Sequence, residues 1–132
     1  MERRVEKDGW SLAVPEGWEV HEEPDSTSLV PPSGRGALQL SGHRKSGGAV
    51  SDGDLLELAS DHIQAGAPRR DVRLGEFMGF EIAYEADGYA RREWYLRKKS
   101  TLLFASWSCE VRHEGAEDET VELALVTLRQ LS

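Results

Sequence analysis

Ser60, Asp61 and His62 are the residue types of a nucleophile relay, standing side by side in the chain. A relay needs hydroxyl, imidazole and carboxylate to converge. On a helix successive side chains diverge by about 100°, so three consecutive residues cannot meet. His62 is therefore expected as a partly buried helix residue. Cys109 and His113 could ligate a metal only with two further partners, and no CxxC, HxxxH or HExxH spacing occurs. Cys109 shares its alternation with Ala105 and Trp107 and is expected to pack, as free cysteines commonly do. Gly47-Gly48 lacks the Lys-Ser/Thr that completes a phosphate loop. His43, Arg44 and Lys45 fall in the Gly/Ser-rich stretch Ser41–Gly48, which reads as a mobile loop rather than an anion grip. No catalytic residue, cofactor or metal is assigned.

A second set of residues could bind rather than react. Arg91, Arg92, Arg97, Lys98 and Lys99 interleave with Tyr95 and Phe104, the ingredients of a single-strand nucleic-acid platform. Glu81, Glu85 and Glu93 stand among them, and the formal net charge of −8 repels phosphate. Nucleic acid is excluded on that balance. The patch predicted for a protein partner is Tyr95, Leu102 and Phe104, flanked by Arg97 and Lys98 and joined by Arg91, provided no helix covers it. Arg92 falls on the face of Trp94, beside Trp107, where a cation–π contact would contribute ~1–2 kcal/mol.

The elements that must position these residues follow from periodicity. Trp10, Leu12 and Val14 alternate, Pro15-Glu16-Gly17 turns the chain, and Trp18 and Val20 resume. Ser28–Val30 and the segment of Leu38 and Leu40 are short strands. Ser51 followed by Asp54 forms a capping box, opening a helix from Gly53 to Ala65 that Gly66 and Pro68 terminate. Val72–Phe77 is a strand, with Met78-Gly79 as a tight connection. The strand of Phe80, Ile82 and Tyr84 follows, then Ala90–Arg97 and Thr101–Val111. A two-residue Asp87-Gly88 loop would oppose Ile82 to Glu93, so burial favours a three-residue loop instead. A two-residue Lys99-Ser100 loop pairs Trp94 with Ala105 and Tyr95 with Phe104. Both faces of that hairpin are then apolar, so it should be a middle layer. A second helix spans Glu117–Gln130. Val121, Ala124, Leu125, Leu128 and Leu131 form its stripe, widened by Leu123 and Val126.

At 132 residues with 39% hydrophobic content, the chain has the size of one domain, residues 1–132, with a packable core. One cysteine excludes an intramolecular disulfide. The start Met1-Glu2-Arg3-Arg4 has no apolar segment behind it, and no stretch approaches ~18 consecutive apolar residues. The expectation is a cytoplasmic protein away from the membrane.

The order of segments resembles the PsbP-like superfamily. The resemblance rests on Val14-Pro15-Glu16-Gly17-Trp18, on Gly79 before the central hairpin, and on the terminal helix. That fold is shared by a photosystem II extrinsic subunit, the Ran-binding import factor Mog, and small bacterial proteins including Eag chaperones of type VI secretion effectors. It implies an α+β architecture, a mostly antiparallel sheet flanked by helices as an α/β/α sandwich. Thr127-Leu128-Arg129-Gln130-Leu131 departs from the usual Ser-Phe finish. No Ran, manganese or photosystem site is matched, so the resemblance implies no site residues. The functional expectation is a non-catalytic protein-binding module, adaptor or chaperone-like, acting as a homodimer. An immunity or antitoxin-like protein that captures a basic toxin, and a small enzyme with an unrecognised site, stay open as alternatives.

Overall fold

The longest alternating stretches of the chain make its longest ladder. The computed structural model describes residues 3–131. Its strands are β1 (Arg4–Lys7), β2 (Trp10–Ala13), β3 (Glu19–Glu22), β4 (Thr27–Val30), β5 (Ala37–Arg44), β6 (Arg69–Leu74), β7 (Phe77–Ala86), β8 (Tyr89–Lys98), β9 (Thr101–Glu110) and β10 (Arg129–Gln130). The helices are α1 (Asp52–Leu58), α2 (Ser60–Gln64) and α3 (Asp118–Leu125), with a 3-10 turn at Val111–His113. A seven-stranded sheet runs β3-β4-β5-β9-β8-β7-β6, and a three-stranded sheet runs β1-β2-β10. Neighbouring strands in both are antiparallel. The fold is the expected α+β class.

Side-chain alternation gives the large sheet two faces. One carries Leu38, Leu40, Trp94, Leu96, Leu103 and Trp107, and the small sheet and α3 cover it. All four tryptophans lie in that core, with Trp18 and Trp107 5.9 Å apart between ring centroids. The other face carries Phe80, Ile82 and Tyr95, covered by Leu55 of α1, Ala59, and Ile63 of α2. The central ribbon is a middle layer over this part. Farther across the same face the register passes from Glu93 to Ser106, Gln39, Ser28 and His21, and the surface becomes polar.

Ser51 caps α1 as expected, its hydroxyl accepting from the Asp54 N–H while the Asp54 carboxylate accepts from the Ser51 N–H. The helix expected over Gly53–Ala65 breaks at Ala59 into α1 and α2. The C-terminal helix stops at Leu125 rather than Gln130. There Thr127 donates to the Ala124 carbonyl and accepts from the Ala13 N–H, turning the chain into β10. Leu123 and Val126 face solvent instead of widening the stripe.

Three turns differ from expectation. The connection before β7 is Gly75-Glu76, not Met78-Gly79, since Leu74 pairs with Phe77. The basic loop is shorter, because β5 continues through Gly42 to Arg44. Gly42 belongs in that strand because a Cβ there would lie 2.8 Å from the indole of Trp10. The central hairpin closes with the two-residue Asp87-Gly88 loop, both residues at positive φ (54° and 81°). Such a turn matches strand twist, and Asp-Gly is among its preferred sequences. Ile82 therefore does oppose Glu93. The acid is tolerated on that face because its carboxylate is fully occupied, as described below. The Lys99-Ser100 loop has the expected register.

Candidate functional site

Two carboxylates on adjacent central strands organise the polar chemistry. Glu93 on β8 is 12% exposed in its side chain and accepts at 2.6 Å from both the Tyr84 and Tyr95 hydroxyls. His62 of α2 places Nε2 3.1 Å from Glu93 Oε1 and its ring 4.7 Å from that of Tyr84. Burial, then the Glu93 hydrogen bond and charge, push the Tyr84 phenol up to about 12 and raise Tyr95 as well. Neither hydroxyl is poised to give up its proton near neutrality. The cluster is a lock between α2 and the sheet.

Glu81 on β7 occupies the tryptophan face opposite Trp94. Arg92 donates to both its oxygens, Nε at 2.6 Å and Nη2 at 3.2 Å, and Arg70 Nη2 donates at 2.6 Å. Arg92 reaches Glu122 at 2.8 Å and lies 3.5 Å from Asp118, joining α3 to the sheet. Its guanidinium carbon sits 4.9 Å from the Trp94 ring centroid, the expected cation–π contact. Burial pushes the Glu81 carboxyl up, but hydrogen bonds and charge from Arg92 and Arg70 outweigh it and hold its pKa below the ordinary value.

Beyond this network the sheet ends in a cleft of about 380 Å³, lined by Tyr84, Glu85, Trp107, Cys109, Glu114 and Asp118 among others. Ala83 and Ala90 add apolar wall, and Arg91 and Arg92 lie at its side. Three carboxylates thus ring an aromatic and apolar floor. Glu85 and Glu114 have no ion-pair partner among the described residues. Cys109 is buried, and burial first, then the charges of Asp118 and Glu114, raise its thiol pKa, against a lowering contribution from Trp107, so it stays protonated near neutrality.

The five residues predicted as a partner surface do not share one. Tyr95 is 3% exposed beneath α1 and α2, and Leu102 and Phe104 are half-buried against the same cluster. This overturns the patch as an open apolar surface. The helices cover Tyr95 because it shares one apolar cluster with Phe80 and Ile82, against which Leu55, Ala59 and Ile63 pack. Arg97 pairs with Asp52 at 2.8 Å at the start of α1. Arg91 is exposed and lies at the cleft instead. Arg44 and Lys45 also pair internally, with Asp8 at 3.0 Å and Asp54 at 2.8 Å. Sequence reasoning missed Glu81 and Glu93 as organising groups. The Asp87-Gly88 dipeptide was the signal, since its preferred register carries each acid to its partners.

No protein-family model matches the chain, and no curated protein matches it. Solved structures do. A crystal structure from Bacteroides thetaiotaomicron VPI-5482 is similar at a TM-score of 0.67 and 16% identity, covering 93% of this chain and 45% of that one. The chain therefore spans less than half the length of that protein. The solution structure of cyanobacterial PsbP (CyanoP) from Synechocystis sp. PCC 6803 is similar at a TM-score of 0.50 and 10% identity, covering 98% of this chain and 92% of that one. At such identities the likeness carries the fold alone, and that fold is PsbP-like.

Proposed function

We propose that this chain is a non-catalytic protein-binding module, adaptor or chaperone-like, that receives a basic side chain of another protein in the cleft beside Trp107. The observation that carries the reading is Glu85 and Glu114, two carboxylates without ion-pair partners among the described residues, over a floor of Trp107, Ala83 and Ala90. An Arg or Lys side chain suits such a site, its stem against the floor and its head group at the rim. The net charge of −8 steers a basic partner toward it. Capture of a basic toxin by an immunity-type protein would use the same chemistry. The absence of a catalytic role is part of this proposal. Ser60, Asp61 and His62 are consecutive on α2, and Glu93, the carboxylate that His62 reaches, is held by two tyrosines. The same reading places the module in the cytoplasm, where the buried Cys109 thiol stays reduced. Among the described residues no helix is long and apolar enough to cross a membrane.

The test is co-purification from the native host with tagged wild type and a Glu85→Lys/Glu114→Lys variant whose melting is unchanged. The expected result is a protein retained by the wild type, released by added salt, and lost in the variant. Equal retention by both would reject the cleft, and recovery of no partner by either would reject the module.

A further inference from the structure

We infer that β6 is a homodimerisation edge, on which a second copy of this chain continues the seven-stranded sheet by antiparallel pairing. The surface is separate from the cleft, and the inference stands without the reading above. β6 ends the sheet, so one side of Arg69–Leu74 has no ladder partner among the described residues. Its charges are arranged to fit themselves. Asp71 and Arg73 point to one face, are both exposed, and have no ion-pair partner among the described residues.

A two-fold axis perpendicular to the sheet keeps each face on its own side, so it must pass where a residue meets its own copy. With the axis at Val72, Asp71 meets the second copy's Arg73 twice, and Arg70 meets the second copy's Leu74. Moving the axis to Asp71 opposes Asp71 to itself and Arg69 to Arg73. Moving it to Arg70 opposes Asp71 to the second copy's Arg69 but also Arg70 to itself, and moving it to Arg73 opposes that arginine to itself. Opposite charges directly across strands stabilise a pair and like charges destabilise it. Of the axes within β6, only that at Val72 makes two opposite-charge pairs with no like-charge pair. Arg70 keeps its own carboxylate, Glu81 at 2.6 Å, in that arrangement.

The neighbouring surface fits the same occupant. Leu56 and Met78 are 38% and 41% exposed, and with Phe80 they line a groove of about 370 Å³ on the face that carries Asp71. The two-fold sets the two grooves side by side, where shared apolar surface adds to the backbone pairing.

Sedimentation of the purified chain tests this. Wild type is expected to sediment as a dimer at the highest soluble concentration. Arg73→Asp and Asp71→Arg should each give monomers with thermal unfolding close to wild type. Mixing these two variants should restore a dimer, since the charges become complementary between unlike chains. The doubly swapped chain should dimerise alone. A monomeric wild type, single variants that dimerise like it, or a mixture that stays monomeric would each overturn the inference.

Discussion

Ile82 stands directly opposite Glu93 in the β7–β8 ladder, an aliphatic side chain against a carboxylate on a face that helices cover. The pairing is tolerated because both Glu93 oxygens are used, one by the Tyr84 hydroxyl and the other by Tyr95 and His62. Glu93→Leu removes the acceptor and leaves two hydroxyls without it. Hydrogen bonds to a charged group contribute roughly 1.5–3 kcal/mol each. The expected loss is about 3 kcal/mol in denaturant unfolding, with Glu93→Gln losing less than half of that.

The same cluster sets an alkaline limit. The folded pKa of Tyr84, about 12, lies above the ordinary 10.0. A raised folded pKa contributes stability that is complete below the unfolded value and is lost as pH rises through the folded one. Stability should therefore fall between about pH 10 and 12. Following phenolate absorbance against pH checks this, and Glu93→Gln should bring the titration of Tyr84 to lower pH.

Arg92 couples stability to acid through Glu81, whose side chain is 7% exposed. Removing one member of a buried pair strands the other, at a cost of about 3–5 kcal/mol. Arg70 still reaches Glu81, so Arg92→Ala should lose about 3 kcal/mol, the lower end of that range. Arg92→Met with Glu81→Leu should recover most of the loss. Because the Glu81 pKa is depressed below 4.5, its contribution is complete above that pH and disappears as pH falls through the folded value. Urea midpoints measured downward from pH 5 should show a shallower acid decline in the double variant.

Gly79 permits the close approach of β7 to β8. A Cβ at that position would lie 1.8 Å from the Tyr95 carbonyl oxygen. The obstacle is backbone, so no side chain can turn aside. Gly79→Ala should separate the strands and cost roughly 1–3 kcal/mol, as overpacking does. Loss of amide-exchange protection at Leu96, its ladder partner, would locate the damage.

Much of this fold is legible in the residues alone. Alternation gives the long strands, the Ser51–Asp54 pair gives the start of α1, and the Lys99-Ser100 loop gives the β8–β9 register. Burial weighed over local turn chemistry misjudges the central hairpin loop. An acid opposite Ile82 argues for a different loop until Tyr84, Tyr95 and His62 are known to converge on it, and sequence spacing does not report that convergence. The cover over Tyr95 comes from α1 and α2, whose docking on that face depends on contacts distant in sequence. The paired Arg92 was legible as a cation over an indole, but its carboxylates come from two other elements.

β2 lies between β1 and β10, so Arg4–Lys7 and Arg129–Gln130 share one strip of sheet with Trp10–Ala13. That strip is the lid over Trp94 and Trp107. During synthesis the lid stays incomplete until Arg129 and Gln130 leave the ribosome, whatever the central hairpin has already achieved. Closure pairs Trp10 with Gln130 and Ser11 with Arg129, a long-range step that is slow by its topology and leaves indole surface open to other chains meanwhile.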